Sequence, residues 1–298
     1  MDFGSVITAM VTPFSQDGQV DYQMVEELVQ YLFANGSDSV LVNGTTGESP
    51  TLSKEEKLAI MKTAVQAAKG KGKIIAGTTN YNTADSIAMT KEAEKTGIDA
   101  ILAVTPYYNK PPQEGLYQHF TAIAASTSLP VFLYNIPGRT NCNLLPETVL
   151  RLSKIVNIVG IKESSGNLNQ VGEIISLVDN DFIVYSGDDS MVLPYMSLGA
   201  RGIFSVASHL KGLRIKEMVL AFQNNDLKTA QKIYYELLPM FTNLFVTTNP
   251  IPIKYCLNRV NILVGPCRLP MTGMTSNERT ILDKMLASYG LEYTYNCC

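Results

Sequence analysis

The chain of 298 residues holds no stretch approaching ~18 uninterrupted apolar residues, so no membrane-spanning helix is expected. It has no strongly basic run, and its formal net charge is −3, which argues against nucleic acid and acidic membrane surfaces as partners. The opening Met1-Asp2-Phe3-Gly4-Ser5 lacks the basic start and apolar core of a signal peptide. Five cysteines are too few and too scattered for a disulfide framework. Cys142, Cys256 and Cys267 have no metal-ligand spacing, and the adjacent Cys297 and Cys298 are poorly placed for a structural bridge. Reduced thiols and a cytoplasmic location are therefore expected. The two histidines, His119 and His209, lie far apart without a neighbouring Cys or His, so a zinc site is not expected. There is no G-x-x-x-x-G-K-[ST] nucleotide loop, and no internal repeat, low-complexity tract or linker.

What is present is an alternation. Hydrophobic residues make up 46% of the chain and charged ones 17%, which suits a globular protein with a sizeable core. Eight short runs read as strands: Val6–Val11, Ser39–Val42, Lys73–Thr78, Ala100–Val104, Val131–Tyr134, Ile158–Lys162, Phe182–Ser186 and Gly202–Val206. They are apolar almost throughout, as in a parallel sheet buried on both faces. Helical patterns separate them. Val25, Leu28, Val29, Leu32 and Phe33 recur at helical spacing before the stop Asn35-Gly36. Ser53-Lys54-Glu55-Glu56 reads as a capping box, and a third helix runs from Thr83 towards Thr96-Gly97. Eight strand–helix units predict a (β/α)8 TIM barrel. A doubly wound sheet is the weaker reading, because Thr12-Pro13-Phe14, not a glycine fingerprint, follows the first strand. Asp226–Val246, Pro250–Val260 and Thr275–Tyr289 read as helices. The expected organisation is a barrel over 1–224 with the active site, and a C-terminal helical extension over 225–298.

In such barrels the site lies at the C-terminal strand ends. Lys162 closes the run Ile158-Val159-Gly160-Ile161, at the rim of a core. Taken alone it reads as a strand-end lysine snorkelling to water. Tyr134 ends Val131-Phe132-Leu133 in the same way, and the pair suggests one reactive face. Desolvation favours a neutral amine, the form that attacks a ketone to make a Schiff base. After strand two comes Gly44-Thr45-Thr46-Gly47-Glu48, a turn whose N–H groups and hydroxyls suit a small carboxylate. Thr105-Pro106-Tyr107-Tyr108 follows strand four. Arg139, in Tyr134-Asn135-Ile136-Pro137-Gly138-Arg139-Thr140, can clamp a second carboxylate. Asp188-Asp189 after Gly187 reads as a helix cap in preference to a metal site. His209 reads as a satisfied loop histidine and His119 as structural. These parts fit a Schiff-base enzyme acting on a small 2-keto acid, with hydroxyls moving protons.

On the segments Gly44–Ser49, Thr105–Asn109, Tyr134–Thr140, Gly160–Gly166 and Ser186–Asp189, in that order, the chain resembles the 4-hydroxy-tetrahydrodipicolinate synthase (dihydrodipicolinate synthase) family over essentially its whole length. The resemblance implies condensation of pyruvate with L-aspartate 4-semialdehyde, the first committed step towards diaminopimelate and lysine. It makes Lys162 the Schiff-base lysine, Tyr134 the proton donor and acceptor beside it, and Thr45 and Tyr108 the relay partners. Tyr108 would act from a neighbouring subunit. Thr46 would bind the pyruvate carboxylate, and Gly187 would also contact substrate. Arg139 would hold the aldehyde's carboxylate. Phe204 stands where a smaller aliphatic residue contacting pyruvate is expected. No cofactor and no metal are implied, and the assembly would be a homotetramer, a dimer of dimers. Where lysine-inhibited members have histidine and acidic contacts, this chain has Lys54, Lys57, Tyr81 and Asp85. The two ammonium groups predict insensitivity to L-lysine. The competing readings are an N-acetylneuraminate lyase or a 2-keto-3-deoxy sugar-acid aldolase, which generally lack an arginine at position 139, and a non-catalytic keto-acid-binding barrel.

Overall fold

The computed structural model describes residues 2–291, so Cys297 and Cys298 lie outside the described residues. Eight parallel strands pair in chain order and close on themselves. They are β1 (Val6–Ala9), β2 (Ser39–Val42), β3 (Lys73–Gly77), β4 (Ala100–Val104), β5 (Val131–Asn135), β6 (Ile158–Glu163), β7 (Ile183–Ser186) and β8 (Gly202–Ser205). Closure comes from β1 against β8, through Val6↔Ile203, Ile7↔Phe204 and Thr8↔Ser205. This is the barrel that the alternation predicts. The expected first, third, seventh and eighth runs extend past the observed strands, because ladder pairing stops where the chain turns into loops. β5 and β6 run one residue further than expected, to Asn135 and Glu163.

Alternation along each strand divides the apolar side chains between two cores. Ile7, Leu41, Ile75, Phe132, Tyr185 and Phe204 belong to the barrel interior. Val40, Ile74, Ile101, Leu133, Ile161 and Ile203 pack outward against the helices. Burying each such side chain is worth about 1.5–3 kcal/mol. Strands dressed on both faces therefore read as unbroken apolar runs.

The helices begin where the sequence places caps. Asp21 accepts from Met24 N at the head of Tyr22–Ala34, which buries Val25, Leu28, Val29 and Leu32. Gly36 then takes a φ of 99°, open to glycine, and ends the element. Ser53 and Glu56 form the reciprocal capping box of Lys54–Ala68. The C-terminal helices are Leu227–Asn243, Ile251–Arg259 and Ser276–Ser288, with Asp226 and Thr275 as N-caps. They pack on the barrel: Tyr234 donates to Ser190 O at 2.7 Å. No helix among the described residues is long and apolar enough to cross a membrane.

Candidate active site

Tyr134 and Lys162 are the penultimate residues of β5 and β6, and they face each other in register. Both are buried, at 4% and 5% exposure. Lys162 Nζ lies 4.2 Å from the centre of the Tyr134 ring and 5.4 Å from that of Phe204. The amine is thus held against ring faces, whose quadrupoles attract a cation. Phe204 is itself fixed edge-to-face on Tyr185 at 5.3 Å, so it forms a floor beneath the amine. Gly187, just past β7, leaves the lysine its path. A Cβ there would stand 2.8 Å from Lys162 Cε, and it would also collide with Ser164 Oγ.

The loop after β2 brings Thr45 and Thr46 to the same end of the barrel. It is tight: Glu48 sits in the left-handed region at φ 55°, and its N–H donates to Thr45 O at 3.1 Å. Thr45 is half-buried, whereas Thr46 is buried and its Oγ1 accepts from Asn249 Nδ2 at 2.9 Å. The carbonyl of Asn249 in turn accepts from Arg139 Nη2 at 3.2 Å. One asparagine therefore links the proposed carboxylate cradle to the guanidinium, which is itself exposed. The sequence reading missed Asn249, since it lies 203 residues from Thr46 with no motif around it.

A second support was also missed. Glu48 Oε1 accepts from Lys254 Nζ at 2.9 Å, and Glu48 Oε2 accepts from Arg268 N at 2.9 Å. Lys254 also donates to Pro266 O at 2.7 Å. Glu48 and Lys254 are 1% and 2% exposed. Burial holds the Lys254 ammonium below its ordinary pKa, while the Glu48 charge opposes the shift. Beside them the Cys267 thiol is pushed up to about 12, by burial first and by Glu48 second, so it stays protonated. Cys142 and Cys256 are buried free thiols, and Cys267 is a partly buried one.

The remaining candidates fall elsewhere. Tyr108 is 89% exposed, with its backbone at φ 73°. Tyr107 lies edge-on to Tyr81 at 5.1 Å. Asp188 caps the turn Asp189–Met191 by accepting from Ser190 N at 2.9 Å, as its sequence context predicts. Asp189 is spent on Ser205 Oγ and on the N–H groups of Val206 and Ala207. Burial raises its pKa to about 6 against those bonds. His209 is satisfied on both ring nitrogens, by Val206 O and Val11 N, and burial lowers its pKa to about 4. His119 meets Thr83 Oγ1 at 2.8 Å within the helix Gln113–Ala124. Among the described residues no group of three or more His, Cys, Asp or Glu is placed to hold a metal ion.

The chain and its fold match known proteins closely. The dihydrodipicolinate synthetase family matches residues 2–289. The chain is 54% identical to the 4-hydroxy-tetrahydrodipicolinate synthase of Desulforamulus reducens, over 93% of this chain and 94% of that protein. The crystal structure of dihydrodipicolinate synthase DapA-2 from Bacillus anthracis superposes with a TM-score of 0.95 at 48% identity, covering 97% of this chain and 99% of that one. The enzyme from Cyanidioschyzon merolae, solved with lysine bound, gives a TM-score of 0.95 at 44% identity over 97% and 99%.

Proposed function

Because the chain belongs to the dihydrodipicolinate synthetase family, we propose that it condenses pyruvate with L-aspartate 4-semialdehyde to give 4-hydroxy-tetrahydrodipicolinate and water. The observation that carries this reading is the buried amine of Lys162, register-paired with Tyr134 and 4.2 Å from its ring centre. In this reading Lys162 adds to the pyruvate ketone and loses water to form an imine. Loss of a methyl proton gives an enamine, whose carbon attacks the aldehyde. The substrate's own amine then displaces Lys162 from the imine carbon and closes the ring. Tyr134 donates and accepts the protons, with Thr45 as its relay partner. No cofactor enters.

Thr46 and its loop N–H groups receive the pyruvate carboxylate, Gly187 keeps the approach open, and Phe204 lies under the methyl group. Arg139, tied to Asn249 O, receives the carboxylate of the aldehyde substrate. Tyr108 serves a neighbouring subunit of a homotetramer, a reading supported by its exposure and its left-handed backbone. The division into a catalytic barrel over 1–224 and a helical unit over 225–298 belongs to the same proposal. Asn249 and Lys254 reach the site from the second part. A cytoplasmic setting is supported by the free thiols.

The test is a coupled assay with pyruvate and aspartate semialdehyde, followed by borohydride reduction and peptide mass spectrometry. A three-carbon adduct on Lys162 is the expected result. An adduct on another lysine, or none, overturns the proposal.

A further inference from the structure

Behind the reacting pair lies a second pair. Asn135 and Glu163 follow Tyr134 and Lys162 in sequence and are also matched in register across β5 and β6. Alternation turns them to the opposite face of the sheet, towards the helices. Both are fully buried. Glu163 Oε2 accepts from Asn135 Nδ2 at 2.9 Å, and Glu163 Oε1 accepts from Ser165 N at 2.6 Å. Asn135 Nδ2 also donates to Asn143 Oδ1 at 2.8 Å, and Asn135 Oδ1 accepts from Leu144 N at 2.9 Å. Asn143 exchanges two hydrogen bonds with Gln170, at 2.8 and 3.1 Å.

This network is costly. Glu163 is the one acidic residue in the eight strands. Burial raises its carboxyl pKa against the bonds that Asn135 and Ser165 supply. An apolar pair of similar volume would hold β5 to β6 at least as well, as Leu133 and Ile161 do two residues earlier on the same face. What an apolar pair lacks is direction. A carboxylate and a primary amide, each bonded at two or more points, fix the rotation of both strand ends.

We propose that Glu163 and Asn135 are positioning residues for the reaction, a carboxylate–amide lock that sets the Lys162 amine against the Tyr134 phenol. The inference rests on the reading of those two as the reacting pair. Reactions of this kind lose on the order of 10²-fold when the attacking group is displaced by about 1 Å.

The experiment uses Glu163→Gln, Asn135→Asp and the double variant carrying both. In Glu163→Gln a donor meets the Asn135 amide or the Ser165 N–H. In Asn135→Asp two carboxylates meet. In the double variant the donor and acceptor are exchanged and the bond is restored, once the Asn143 and Gln170 amides turn over together and give up the long 3.4 Å bond from Gln170 Nε2 to Leu144 O. Pyruvate trapping rates and kcat are measured per folded protein, with the folded fraction taken from circular dichroism. Each single variant is expected to lose kcat and trapping rate by on the order of 10²-fold, with KM for pyruvate within about threefold. The double variant is expected to recover most of that loss. Single variants that trap pyruvate at the wild-type rate overturn the inference. So does a double variant no better than the singles, or loss of folded protein in all three. Failure to trap pyruvate on Lys162 of the unaltered protein is a different result, and it overturns the proposed function.

Discussion

Inside the barrel the N-terminal end is closed by aromatic packing. Phe132 lies edge-on to Phe3 at 5.0 Å and to Tyr185 at 6.0 Å, and Tyr185 reaches past them to donate to Gly4 O at 2.6 Å. The C-terminal end is polar and is held from outside the strands. Lys254 and Asn249 arrive from the C-terminal part of the chain to fix Glu48 and Thr46. Asn135 and Glu163 brace the far side of β5 and β6. The first end is stabilised by area, which is non-directional. The second buries groups that lose energy unless each has a partner in a particular place. The proposed chemistry lies at the end where geometry is specified by bonds.

The comparison is broken most severely by altering a reactive group alone. Tyr134→Phe keeps the ring face beside Lys162 and removes only the hydroxyl. Its kcat is expected to fall by about 10²–10⁴-fold, with little change in pyruvate KM or melting temperature. Steady-state kinetics check this, and a loss below tenfold would demote the phenol to packing.

Lys254→Met attacks the support. It leaves the Glu48 carboxylate buried without its cation, a change expected to cost about 3–5 kcal/mol. Pyruvate KM should rise as well, because the affected loop carries Thr46. Adding Glu48→Gln should return most of the stability. Urea unfolding of both variants and of the unaltered protein measures it. Lys254→Met as stable as the unaltered protein would show that the ion pair contributes nothing, and equal loss in the single and double variants would show that the unpaired carboxylate is not what costs stability.

Arg139→Ala tests the rim. Aspartate-semialdehyde use is expected to fall by about 10–100-fold, as for a lost charge-assisted bond worth roughly 1.5–3 kcal/mol, while borohydride trapping of pyruvate persists. Parallel loss of both would assign Arg139 to the support through Asn249.

The smallest effect is expected from L-lysine. Lys54 is exposed, and burial lowers the pKa of the half-buried Lys57. If the effector cleft lies at these positions, as the family resemblance implies, the ammonium of Lys54 and any charge kept by Lys57 disfavour a cationic effector, and activity is expected to persist at millimolar lysine. A saturable fall at sub-millimolar lysine would contradict this.

The inward face that carries the proposed site was legible in the sequence as positions, because each of its signals is local. Lys162 and Tyr134 each end their own apolar run, and a barrel gathers strand ends without further information. Thr45, Thr46 and Gly187 sit in short loops directly after strands, so their place followed from the fold. Phe204 was found as a position, but its role as a floor on Tyr185 and Phe132 was not. Tyr108 was expected to act from a neighbouring subunit, and in this chain it is exposed. The supporting face was silent. Glu163 and Asn135 look like ordinary loop-edge polar residues until the register sets them side by side.

What the sequence by itself determined is the barrel, its order of strands and the place of the Lys162 amine at the end of β6. Periodicity, caps and strand-end residues act over a few positions and do not depend on distant partners. What only the tertiary structure decided is which polar groups are satisfied, and by whom. The Glu48–Lys254 pair spans 206 residues and the Thr46–Asn249 bond 203. Pairings at that separation leave no periodic trace. They exist because a closed barrel brings the start and end of the chain to one rim, where a buried charge or hydroxyl must find a partner or lose its solvation without return.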